Sequence, residues 1–252
     1  MSKFLVKLAQ RKESEDGSLT IAVEICMESL PSEIDVSILS LAEHRILIRV
    51  WELFCRYRIT EIERFRFIKG LIWSYRLHTK TKRKSKESYF IHDLRCVSMA
   101  LAGGLPIVVA ISMFAHEFKE DDEWTDEQLI EEFGQEITDV VIPLSKPKKI
   151  YDSREARLRV HLQNLKEAKP YVRWIVRICK KIDRKDNTHD TAGLSSDDQR
   201  QLFDETEIEF VPWFSETQDE VPRKFRWFDA VLQNDIENAC ANYRQGHVLA
   251  VV

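Results

Sequence analysis

The chain has 252 residues, 44% hydrophobic and 32% charged, enough for one large domain or one domain with a modest addition. That mixture excludes a disordered tail and a low-complexity protein, and the scarcity of Gly and Pro (7 of each) argues for a mostly helical architecture. A formal charge of -4, from 38 basic and 42 acidic residues, disfavours a globally basic nucleic-acid binder.

The opening MSKFLVKLAQRKESEDG turns charged too early to read as a signal peptide, and residues 1–38 read as a weakly structured lead-in. Apolar residues then recur at helical spacing from Leu39 to Tyr57. A second stretch, Ile62 to His78, offers Phe65, Ile68, Ile72 and Tyr75 as its inner face. A basic loop, TKTKRKSKES, leads into predicted helices at 89–102 and 107–118, separated by Gly-Gly-Leu-Pro. The longest apolar run, 105–115, is too short to cross a bilayer. Thr125 with Gln128 forms a capping-box pattern, Phe133-Gly134 ends that helix, and 135–144 forms another. A long helical region covers 154–185 with a break near Pro170, and 188–198 is a polar break. The remainder carries Trp213, Phe214, Phe225, Trp227 and Phe228, so it reads as a packed C-terminal extension. The expected fold is all-α, with one main domain at 39–190 and additions at 1–38 and 191–252.

Five scattered cysteines without a C-x-x-C pair fit reduced thiols in a cytoplasmic protein better than a disulfide scaffold or structural zinc. Neither G-x-G-x-x-G nor G-x-x-x-x-G-K-[ST] occurs, so no glycine-rich phosphate cradle is expected. His92 opens a helix whose apolar side holds Leu94, Val97 and Leu101. His116 and Glu117 lie near the end of an otherwise apolar helix, with Glu120 and Asp121 one turn on. Asp183 sits at the polar end of another. Charge that terminates a buried helix needs partners. Two imidazoles and two carboxylates so placed suit an octahedral Mn²⁺ or similar divalent ion, although each histidine taken singly reads more readily as a satisfied core or surface residue.

Order along the chain adds weight. The segments SYRLHTKTKRKSKESYFIHDLR (74–95), AHEFKED (115–121), TDEQLIEEFGQEITDVVIPLSK (125–146) and KIDRKDN (181–187) follow one another. Together they resemble the HD-type hydrolase domain of the RelA/SpoT alarmone enzymes, over about half of the chain. Arg83-Lys84-Ser85, Tyr89, His92, His116, Glu120-Asp121, Phe133-Gly134, Lys146, Asp183-Arg184 and Asn187 all fall in that family's order.

The resemblance implies an HD-type helical bundle in which His92, His116, Glu117 and Asp183 hold one Mn²⁺. It implies Glu120 and Asp121 as the catalytic acidic pair, and Arg83, Lys84, Ser85, Arg184 and Asn187 as residues near the nucleotide. The implied reaction removes the 3′-pyrophosphate of (p)ppGpp, or a ribose phosphate from a related nucleotide such as NADPH. The expected partner is therefore a guanosine-type nucleotide, with no membrane or nucleic acid, and with oligomerisation open. This chain departs from the family pattern at Glu117 (Asp in the family), Asp93 (Pro), Lys86 (Gly) and Thr81 (Gln). These departures motivate a second reading: a weakly active or inactive nucleotide-binding regulator that acts through a partner.

Overall fold

Hydroxyl side chains open most of the helices and fix where each begins. Ser40 caps α1 (Leu41–Cys55) and Thr60 caps α2 (Glu61–His78), each in a reciprocal box with the glutamate three residues on. Ser88 caps α3 (Tyr89–Ala102). After the Gly-Gly-Leu-Pro turn comes α4 (Ile107–Asp121). The predicted box of Thr125 and Gln128 is formed at α5 (Asp126–Phe133), and Gly134, at φ 84°, makes the sharp turn into α6 (Gln135–Leu144). The long region divides into α7 (Arg154–Lys166) and α8 (Arg173–His189) around Pro170. Then follow α9 (Ser196–Glu205), a π-helical segment at Thr206–Phe210, α10 (Val211–Glu216) and α11 (Arg226–Ala250). This computed structural model describes residues 30–121, 124–146 and 153–250, without the side chains of 121 and 247–250.

No strand occurs among the described residues, only an isolated bridge between Lys82 and Ser88 in the basic loop. The fold is all-α, as its sequence predicts. One hydrophobic cluster runs from Ile34 to Ile236 and takes side chains from most of the helices. Three helices carry the candidate site residues. α3, α4 and α8 pack on one another pairwise, α11 covers α8, and α1 and α2 back α3 and α4. Each buried Leu, Ile or Phe at these contacts contributes about 1.5–3 kcal/mol, which holds their polar ends in fixed register.

Two expectations need correction. The inner face of α2 is Phe67, Leu71, Ser74, Tyr75 and His78, whereas Phe65 is 59% exposed. Ile72 lines an open groove with Trp51 and Trp73 instead, and Ile68 borders that groove while also packing on the core. Polar Ser74 and His78 turn inward because both bind the buried carboxylate of Asp93, each at 2.5 Å. In the C-terminal segment Trp213, Phe214, Phe225 and Phe228 are buried, but Trp227 points to solvent at 60% exposure.

Candidate metal centre

His92 lies in the first turn of α3, His116 and Glu117 in the last turns of α4, and Asp183 in the second half of α8. All four residues are buried, with 2–8% exposure. Because these three helices pack together, residues 91 positions apart in the chain converge. Glu117 Oε1 is 3.0 Å from His116 Nε2 and 3.8 Å from His92 Nε2. Asp183 Oδ1 is 3.6 Å from His92 Nε2. The donor atoms of His92, His116 and Glu117 lie within 4.8 Å of one another, and Asp183 joins them through His92.

The ring nitrogens that face away from this cluster are already committed. His116 Nδ1 donates to the Met113 carbonyl at 3.0 Å, and His92 Nδ1 is 2.6 Å from Asp186 Oδ2. Each imidazole in its neutral form therefore presents an Nε2 lone pair to carboxylate oxygens. At 3.0 Å, the His116–Glu117 contact calls for a cation between the facing lone pairs, a proton or a metal, while the 3.6 and 3.8 Å contacts of His92 leave its Nε2 within reach of the same ion. Neighbouring ligands on one ion stand roughly 3 Å apart when metal–ligand bonds are about 2.0–2.2 Å, so the spacing fits. Two carboxylates and two neutral imidazoles also carry the charge that a divalent ion balances.

The protonation equilibria reflect the same crowding. Burial would lower the His116 pKa, but Glu117 beside it, with Asp183 and Glu120 beyond, raises it to about 9. Burial works against the Glu117 anion, yet His116 and His92 hold its carboxyl well below the usual range. Asp183 is likewise held low against its burial, first by Lys180, whose Nζ contacts Oδ2 at 2.7 Å. Both carboxylates stay ionised and ready to bind a cation.

The residues placed near the nucleotide divide into two groups. Arg83, Ser85 and Asn187 sit beside the cluster: Asn187 Nδ2 donates to Asp183 Oδ1 at 2.6 Å, and its Oδ1 accepts from Arg83. Arg83 and Ser85 both donate to Asp190 Oδ2, at 2.9 and 3.0 Å. Lys84 faces outward, 62% exposed at its side chain, and pairs with Asp198. Arg184 turns away from the cluster, stacking over the Phe210 ring at 4.0 Å and reaching Glu205. Glu120 is one turn past His116 and accepts from the Lys146 backbone N–H at 3.3 Å; the Asp121 side chain lies outside the described residues.

Sequence reasoning missed Asp186, Arg95, Asp190 and Lys180. A spacing signal existed for some of them. Asp186 and Lys180 each stand three residues from Asp183, and Arg95 three from His92, so each shares a helix face with a cluster residue.

No protein-family model matches the chain. Over 78 residues, 31% of the chain, it is 33% identical to a probable guanosine-3′,5′-bis(diphosphate) 3′-pyrophosphohydrolase of Mycoplasma pneumoniae, of which it spans only 11%. Among solved structures it is similar to a metazoan ortholog of SpoT that hydrolyzes ppGpp and plays a role in starvation responses. That likeness has 17% identity and a TM-score of 0.57, and covers 75% of this chain and 97% of the other. A protein of Listeria monocytogenes EGD-e gives a TM-score of 0.42 at 20% identity, over 59% of this chain and 96% of that one. The fold is thus that of the all-helical HD-domain hydrolases.

Proposed function

We propose that this chain, alarmone-hydrolase-like in its HD-type fold and in its local sequence, is a Mn²⁺-dependent nucleotide hydrolase. Its reaction would remove the 3′-pyrophosphate of (p)ppGpp or a ribose phosphate of a related nucleotide. The observation that carries the reading is the convergence of His92 Nε2, His116 Nε2, Glu117 and Asp183 at the shared end of α3, α4 and α8. The catalytic domain would be residues 39–190, acting in the cytoplasm on a guanosine-type nucleotide. Among the described residues no helix is long and apolar enough to cross a membrane.

Bound there, a divalent ion would supply a polarised water and offset charge on the departing phosphate. The chain's own groups do the rest. His92, His116, Glu117 and Asp183 would form its ligand set. Glu120, with Asp121, would orient the attacking water and accept its proton, worth roughly 10²–10⁴-fold in rate. Arg83, Ser85 and Asn187 would meet the nucleotide beside the cluster, with Lys84 at the rim of the loop. Arg184 would act from behind, since its side chain faces Phe210.

One observation favours the second reading. Arg83 is engaged by Asp186, Asn187 and Asp190 together, so a ligand must displace acidic partners to recruit it. That arrangement suits a protein that binds nucleotide with little turnover and signals through a partner. Assaying the Mn²⁺-loaded protein for pyrophosphate release from ppGpp and phosphate release from NADPH separates the two. Hydrolysis of either supports the enzyme, whereas binding without hydrolysis supports the regulator.

A further inference from the structure

Behind the cluster, His92 meets a second set of polar groups through its other ring nitrogen. Asp186 Oδ2 is 2.6 Å from Nδ1. Cys96 Sγ lies 3.8 and 3.9 Å from the two ring nitrogens, so it packs on the ring and aims at neither lone pair. These residues form a second group with metal-ligand chemistry. Their charge environment argues against a second ion there. Asp186, only 5% exposed, receives Arg95 Nε at 2.6 Å and Arg95 NH2 at 3.0 Å, and Arg83 NH1 at 3.2 Å. Two guanidinium groups already neutralise that carboxylate, and a divalent cation would have to sit against both.

What remains for Asp186 is a hydrogen bond. A neutral imidazole has one N–H and one lone pair, and a carboxylate at Nδ1 fixes which nitrogen carries which. It also prevents the ring from rotating and makes Nε2 a better electron donor. Building on the metal-centre reading, we propose that Asp186, clamped by Arg95, is a positioning residue that locks His92 with Nδ1 protonated and Nε2 presented to Glu117 and Asp183. The same carboxylate takes Arg83 from the basic loop, so loop and metal centre share one network. Arg95 holds the other end with a second anchor, donating to Glu87 at 2.7 Å.

The test uses the full chain and two readouts. Long-range ¹H–¹⁵N correlation on metal-free protein, above the imidazole titration range, reads the tautomer directly. Wild type should show His92 as the Nδ1–H form, and Asp186→Ala should move it toward the Nε2–H form that free imidazole side chains prefer. Calorimetric titration with Mn²⁺ should show affinity weakened about 10- to 100-fold in that variant. Arg95→Gln leaves Asp186 in place and should give a smaller loss in the same direction; it carries the test if Asp186→Ala does not fold. An unchanged tautomer, or unchanged affinity in a folded variant, overturns the proposal. If wild type binds no Mn²⁺, the metal-centre reading fails by itself, and the tautomer alone decides the role of Asp186.

Discussion

Arg177 and Asp229 form a bidentate pair, Nε to Oδ1 at 3.2 Å and NH2 to Oδ2 at 2.8 Å, with both side chains wholly excluded from solvent. The pair joins α8, which carries Asp183, to α11 in the C-terminal extension. Lys181 Nζ contacts the same carboxylate at 2.7 Å, so one buried anion serves two buried cations. Removing a single partner from such a group leaves charge in the core without compensation. Asp229→Asn should therefore cost about 3–5 kcal/mol, measured as the loss in unfolding free energy in urea. A loss below about 1 kcal/mol, the range of surface pairs, would contradict the role given to this contact.

The imbalance of two cations on one carboxylate predicts a pH dependence. Burial, with Arg177 next to it, lowers the Lys181 pKa from 10.5 to about 8. Between about pH 8 and 10.5 the unfolded chain then binds more protons at this lysine than the folded one, so stability rises with pH. Each lysine adds at most about 1.4 kcal/mol per pH unit. His116, its pKa raised to about 9, works in the opposite direction over part of this window, so the comparison carries the test. Between about pH 7.5 and 9.5 the urea midpoint should shift upward in wild type relative to Lys181→Met. Equal slopes in the two proteins would refute the assignment.

The basic loop stores a small strain. Lys86 has φ 72°, left-handed backbone at the position where the alarmone enzymes carry Gly. The loop is pinned on its other side, since a Cβ built on Gly193 would lie 2.1 Å from the Lys84 carbonyl oxygen. Lys86→Gly should thus stabilise by about 0.5–1 kcal/mol, relief of the left-handed conformation outweighing glycine's entropy cost. A thermal midpoint that falls in this variant would show that the Lys86 side chain contributes a contact of its own.

Most of the candidate site was legible from residue order. His92, His116, Glu117 and Asp183 lie in blocks whose helices, α3, α4 and α8, meet as the family order implies. What surrounds them was not legible. Ser74 and His78 break the apolar pattern of α2 because they face Asp93, so a periodicity that counts only apolar side chains selects Phe65 and Ile72 instead. Asp186 looks like one more charge on a basic helix until α3 delivers His92 and Arg95 to it across 94 and 91 residues. The resemblance implies Arg184 near the nucleotide; adjacent helical positions point about 100° apart, and its side chain lies over Phe210 rather than beside the ligand face of Asp183.

The acidic pair one turn beyond His116 carries a kinetic prediction. Glu120→Gln keeps size and hydrogen bonding while removing charge, so Mn²⁺ content should survive and ppGpp hydrolysis should fall by about 10²–10⁴-fold. Asp121→Asn should behave in the same way. Loss of metal in either variant would make that residue a ligand rather than the group that handles water.

The central claim is a single divalent ion among His92, His116, Glu117 and Asp183, and metal analysis by mass spectrometry after Mn²⁺ reconstitution and desalting tests it most directly. The account predicts about one Mn²⁺ per wild-type chain, and far less in folded His92→Ala and His116→Ala, as expected when one of four ligands is lost. A wild-type protein that retains no metal, or histidine variants that retain as much as wild type, would contradict it.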